Sequence, residues 1–268
     1  MLFEAKTQTG FSIKKMVELL QNNVRTSCLE LRKDGIHLCQ MNDKGTVSIE
    51  IFLDAEEFLV YRLDSDEPIR MGIKSSILYK TLKDIKKTEM LKISKDTVSS
   101  KLVFENIPRD SGTGMITSIT VQNFQALYID VPPKSAFNSP ITFQSNEFSK
   151  TIKSLGNTGK TITVSANENF LTFSSSTHGI FSRSGRFGNT EIRDTNVEET
   201  EIGTFTYQRL SKLIKISGLG DVIKMYWATP DENSSMPLLL ESAISFIGTI
   251  RIYIRTEEDI EAQMEDES

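Results

Sequence analysis

The sequence predicts an α+β chain built from two similar halves, each with two short helices on a strand-rich framework. Three observations predict it. A helix-then-hairpin pattern occurs twice, at residues 11–41 and 145–175. A second pattern, helix then paired strands, closes each half at residues 75–105 and 207–241. Between the halves runs residues 121–140, which hold three of the seven prolines, Pro132, Pro133 and Pro140. Adjacent prolines fit neither a helix interior nor a central strand, so this segment reads as a long extended connector.

In the first half, FSIKKMVELLQNN is amphipathic and precedes TSCLELRKDGIHLCQM, residues 26–41. Apolar residues alternate there, and Asp34-Gly35 suits a primed hairpin turn. SSILYKTLKDIKK then leads into MLKIS and KLVFE. In the second half NEFSKTIKSLG precedes KTITVSANENFLTFSS, with Asn167-Glu168-Asn169 as the turn. YQRLSKLIKISG leads into VIKMYWA and MPLLLE.

The four helical segments share a charge pattern. From Phe148, apolar Ile152 and Leu155 follow at +4 and +7, while Lys150 and Lys153 fall at +2 and +5 on the opposite face. From Leu78 the same offsets give Leu82 and Ile85 inside and Lys80 and Lys83 outside. From Leu210 they give Ile214, Lys212 and Lys215, with Ser217 breaking the apolar row. The first segment is an imperfect copy: Ile13, Val17 and Leu20 form the apolar face, Lys14 and Lys15 add charge, and Glu18 interrupts it. Windows 11–23, 75–88, 145–156 and 207–218 hold 11 Lys and Arg and 3 Asp and Glu. That is a net of +8 in a chain whose total is −5, so the remainder carries −13. Lysine on an exposed helix face is commonplace, but the shared offsets point to a polyanionic partner. Flexible ammonium groups suit phosphate contacts that do not read sequence.

Other chemistry finds little support in the sequence. No apolar run approaches a membrane span, so no membrane partner is expected, and the N-terminus lacks a secretory pattern. Cys28 and Cys39 fit a reducing compartment, with Cys28 read as a buried thiol. GNTGKT at 156–161 has Ser154 where a phosphate loop needs glycine, and it follows a helix instead of preceding one. Asp64, Asp66 and Glu67 beside Pro68 read as a solvated turn, and a metal-dependent hydrolase using them is a distant alternative. The two histidines, His37 and His178, lack ligand or triad partners nearby. No cofactor, metal or catalytic residue is expected. The tail TEEDIEAQMEDES, with seven acids and no base, reads as disordered.

FEAK, SIKKMVELL, DGIHLCQMND with VSIEIFL, FLVYRLD, MGIKSSILYKTLK and KLVFE, then SNEFSKTIKSLGNTGKTITVSA and MPLLLE, together resemble the sliding clamp family of proliferating cell nuclear antigen. The resemblance covers nearly the whole chain. It implies two similar clamp-type domains, antiparallel sheets outside and two short helices each lining an inner surface, in a subunit that closes head-to-tail into a homotrimeric ring. The domains would be residues 1–120 and 141–256, joined by the connector 121–140 and followed by an acidic tail 257–268. The implied function is that of a DNA polymerase processivity factor, not an enzyme. It would encircle double-stranded DNA and tether a polymerase, a clamp loader and other clients carrying a short motif.

Lys14, Lys15, Lys80, Lys83, Lys150, Lys153 and Lys215 fall on family positions that face DNA, and Lys212 joins them by periodicity. Met41, Val47, Leu127, Ile129, Val131, Pro237, Tyr253 and Ile254 fall on the client-binding pocket. The sequence departs from the family at Arg255-Thr256, where a small residue and a proline are usual, and over residues 178–194. That stretch covers the edge strand implied to pair with residues 113–120 of the next subunit. A non-ring accessory factor or a checkpoint clamp subunit is the alternative. The implied location is the nucleus in a eukaryote, and otherwise the cytoplasm or a viral replication site.

Overall fold

A computed structural model describes residues 1–109, 113–123, 129, 131–177, 179–188, 198–228 and 236–266. The chain forms two compact units, one of residues 1–129 with 243–250 and one of 130–242 with 251–268.

A strand–helix–three-strand unit occurs four times. The first is β1 (Phe3–Thr7), α1 (Gly10–Asn23), β2 (Thr26–Arg32), β3 (Gly35–Met41) and β4 (Val47–Asp54). After β5 (Val60–Leu63) comes the second: β6 (Ile69–Lys74), α2 (Ser75–Leu82), β7 (Met90–Lys95), β8 (Lys101–Ile107) and β9 (Met115–Thr120). After β10 (Gln122–Asn123) comes the third: β11 (Ile141–Gln144), α3 (Ser145–Gly156), β12 (Thr161–Ala166), β13 (Phe170–Thr177) and β14 (Phe181–Gly188). The fourth is β15 (Thr200–Thr206), α4 (Tyr207–Leu213), β16 (Val222–Tyr226), β17 (Leu238–Ile244) and β18 (Gly248–Ile254).

Repeats pair by exchange within each half. The leading strand of each pairs antiparallel with the first strand after the helix of its neighbour: β1 with β7, β6 with β2, β11 with β16 and β15 with β12. The first unit thereby holds a β5-β1-β7-β8-β9 sheet and the strand series β10-β6-β2-β3-β4. The second holds a β14-β13-β12-β15 sheet and most of the series β18-β17-β16-β11, whose residues 243–250 fall to the first. All described pairings are antiparallel, as the α+β reading requires.

The exchange also fixes the helices. None of α1 to α4 has a side-chain N-cap. Instead the leading N–H of α2, α3 and α4 donates to a carbonyl just before the exchanged strand: Ser75 to Arg25, Ser145 to Asp221 and Tyr207 to Lys160. Those bonds satisfy donors that a helix start leaves unpaired, and they set each helix beside its partner. In the second unit, Gly156 at the end of α3 lies so close to the Tyr207 ring that a Cβ would sit 2.1 Å from it, so a larger residue would push α4 away.

Three expectations change. The first hairpin turns at Lys33-Asp34, with Arg32 opposite Gly35, and only Gly35 takes a positive φ, of 151°. Its absent side chain matters, since a Cβ would lie 2.1 Å from the Leu53 carbonyl oxygen. The connector is less extended than its prolines suggest: Gln122–Asn123 pairs with β6, and Lys134–Ala136 makes a 3₁₀ turn. The acidic tail forms a helix, α5 (Glu257–Asp266), instead of being disordered. Glu257 accepts the Thr206 N–H and pairs with Arg209, while Glu258 accepts the Thr204 N–H. Asp259 pairs with Arg255. Two of the seven acids, Glu257 and Glu258, thus find donors distant in sequence on the edge of β15, where unpaired N–H groups would otherwise face solvent, and Asp259 finds one four residues back.

Candidate nucleic-acid and partner-binding surfaces

In the first unit α1 packs against α2. Ile13, Val17 and Leu20 of α1 are buried, as are Leu78 and Leu82 of α2 and Ile85 beyond its end. The helix stops at Leu82, so Lys83 is its C-cap. Lys80 and Lys83 are exposed and form no ion pair among the described residues. Lys14 and Lys15 are half-buried: Lys14 Nζ donates to the Ile85 carbonyl at 3.2 Å, and Lys15 pairs with Glu18 at 3.2 Å.

In the second unit α3 packs against α4 and the 3₁₀ turn Ile214–Gly218 that continues it. Phe148, Ile152 and Leu155 are fully buried, and Lys150 and Lys153 are exposed opposite them. The fourth helix departs from the expected offsets. Leu210, Leu213 and Ile216 are buried at three-residue steps, and Ile214 is half-buried. Tightening to three residues per turn moves the apolar row by one position. Lys212 remains exposed and Lys215 is half-buried. Arg209 is drawn into structure, donating to the Arg255 carbonyl and pairing with Glu257.

Lys80, Lys153 and Lys212 sit in the last turns of α2, α3 and α4. Each complements the negative end of its helix, by about 0.3–1 kcal/mol. These lysines therefore stabilise their helices and also present charge to any anion.

The client-pocket positions divide between the units. Met41 ends β3, half-buried opposite Ser48, and Val47 starts β4 fully buried. Ile129 is half-buried, and Leu127 lies outside the described residues. In the second unit Val131 and Phe137 pack on a cluster of Tyr226, Leu239 and Tyr253. Pro237 is half-buried. Ile254 does not join this surface. β18 alternates, so Ile250, Ile252 and Ile254 face the core at 0% exposure, while Arg251 and Tyr253 point the other way.

One cluster here carries no motif. Glu241 on β17 pairs with Lys134 at 2.6 Å and with Arg251 Nε at 2.8 Å, and it accepts the Tyr226 hydroxyl at 3.3 Å. Lys134 Nζ also lies 4.9 Å from the Tyr226 ring centroid. Burial alone would raise the Glu241 pKa, but the two cations beside it hold the carboxyl below its ordinary value. Together these contacts staple the connector's far end to the sheet beside Tyr253. The available signal was a lone acid closing an apolar run, MPLLLE, near the alternating basic strand IRIYIR.

Elsewhere the expected chemistry is sparse. Asp66 pairs with Lys33 at 2.7 Å on an exposed loop. No group of three metal-capable side chains occurs among the described residues. His178 lies outside them, and His37 contacts Asp34 at 3.1 Å. Cys28 is half-buried, not fully buried, and burial raises its pKa. Burial and then the Glu50 charge push Cys39 up to about 11, so both thiols stay protonated near neutrality. No helix among the described residues is long and apolar enough to cross a membrane.

Residues 2–124 match the family model of the proliferating cell nuclear antigen N-terminal domain. The proliferating cell nuclear antigen of Chaetomium thermophilum is 24% identical over 273 aligned positions, covering 94% of this chain and 97% of the relative. Residues 2–124 thus carry the proliferating cell nuclear antigen N-terminal domain, and the chain is similar to a member of that family over nearly its whole length.

Proposed function

We propose that this protein is a sliding clamp: three copies close head-to-tail around double-stranded DNA and tether a polymerase and other clients to it. It catalyses nothing itself. The observation that carries the reading is a lysine-faced helix pair in each unit of a chain whose remainder is strongly acidic. Lysine contacts neutralise phosphates and release counterions without reading bases, which suits a protein that must slide.

Two sheet edges support self-association. β9 ends the first unit's five-stranded sheet, with Met115 62% and Ile116 70% exposed. β14 ends the second unit's four-stranded sheet, with Phe181 50% exposed. Unpaired edges bearing apolar side chains invite pairing with another chain. Two different edges, one in each unit, make a heterologous contact, which closes into a ring when the rotation allows. The connector and the Val131–Tyr253 surface would receive clients, whose apolar anchors need such a floor.

Native mass spectrometry at micromolar concentration tests the assembly. A species at three times the 30.2 kDa chain mass is expected. Monomer alone, or assembly only with unlike subunits, would reject the homotrimer.

A further inference from the structure

Phe11 lies half-buried in the first turn of α1, and three ammonium groups surround its ring. Lys14, Lys15 and Lys87 Nζ sit 5.2, 5.6 and 5.6 Å from its centroid. Lys14 ties the cluster to the following segment through the Ile85 carbonyl. The turn bearing Lys87 is closed from both sides, since Glu89 Oε2 accepts the Lys86 N–H and the Glu89 N–H donates to the Lys86 carbonyl. α1 has no acid in its first turn and no side-chain cap, so its positive end adds to the same field. Glu18 answers Lys15, and Lys87 forms no ion pair among the described residues.

A ring face attracts each cation by about 0.5–1 kcal/mol at an exposed site, and it holds the three at the cost of their mutual repulsion. That arrangement is relieved by an anion. We infer that Phe11 gathers Lys14, Lys15 and Lys87 into a phosphate-binding cluster that takes the backbone of double-stranded DNA, with Lys87 adding a contact beyond the helix lysines. The inference rests on the clamp reading. DNA is favoured over an acidic protein because the cluster is continuous with α2, whose Lys80 and Lys83 lead directly into this turn. It also contains lysines alone, without the arginine forks suited to carboxylates.

The test is binding of a linear duplex by the full-length protein between about 50 and 200 mM salt, where the slope of log K against log salt counts phosphate contacts. Lys87→Ala should flatten the slope by about 0.9 and weaken binding roughly five- to tenfold near 0.1 M. Phe11→Leu, which keeps apolar bulk without the ring, should lose a similar factor, and Phe11→Tyr should restore it. Lys101→Ala, at an exposed lysine on β8, should change nothing. A wild-type slope in Lys87→Ala, or an equal loss in Lys101→Ala, overturns the inference. If Lys80→Glu with Lys83→Glu still weakens binding, the clamp reading survives that failure. If that pair also has no effect, both fall.

Discussion

Replacing both Lys80 and Lys83 with Glu should lower duplex affinity by about two orders of magnitude near 0.1 M salt and abolish stimulation of a polymerase on primed DNA. Each lost phosphate contact removes roughly an eightfold factor at that concentration, and two acids facing phosphates add repulsion. The fold should survive. Both side chains are exposed, while Leu78, Leu82 and Ile85 hold the segment by its other face. The structural cost is the loss of favourable charge at the end of α2, about 1 kcal/mol in all. Thermal unfolding of the purified variant separates the two effects. Unchanged stimulation at moderate salt would remove these lysines from the DNA surface.

Glu241→Ala should loosen the connector's far end and destabilise the chain by about 1–3 kcal/mol. It leaves Lys134 and Arg251 without their shared carboxylate and strands the Tyr226 hydroxyl. The upper figure for a buried pair is not reached, because Lys134 and Arg251 are about 40% exposed. The Glu241 carboxyl sits below its ordinary pKa of 4.5 in the folded chain. Its contribution is therefore complete above that value and is lost as pH falls through the lowered one. The stability difference between wild type and Glu241→Ala should thus be constant near neutrality and shrink under acid. Hydrogen exchange across residues 131–137 should accelerate, and client-peptide affinity should fall with it. Unchanged exchange there would show that the staple does not position the connector.

Part of this was legible in sequence. α3 could be read residue by residue, because a regular helix converts spacing directly into faces: Phe148, Ile152 and Leu155 inside, Lys150 and Lys153 outside. α4 could not, because its last residues tighten into a 3₁₀ turn, and the buried position passed from Ile214 to its neighbours Leu213 and Ile216. The tail misled for another reason. Its acids look solvated because Glu257 and Glu258 find their partners far away in sequence, at Arg209 and two N–H groups of β15. Non-local pairing hid the strand exchange as well, since nothing near β1 announces β7. Ile254 was legible: the alternation of IRIYI places it with Ile250 and Ile252, away from Tyr253. The family resemblance groups it with Tyr253, from which the pleat turns it away.

The most direct measurement is retention on DNA of different topology. The protein is loaded by its clamp loader onto a nicked circle, the salt is raised until free lysine contacts are screened, and half of the sample is linearised. A closed ring stays on the circle and slides off the linear ends. Equal release from both forms would contradict encirclement, whatever the affinity of the lysine faces.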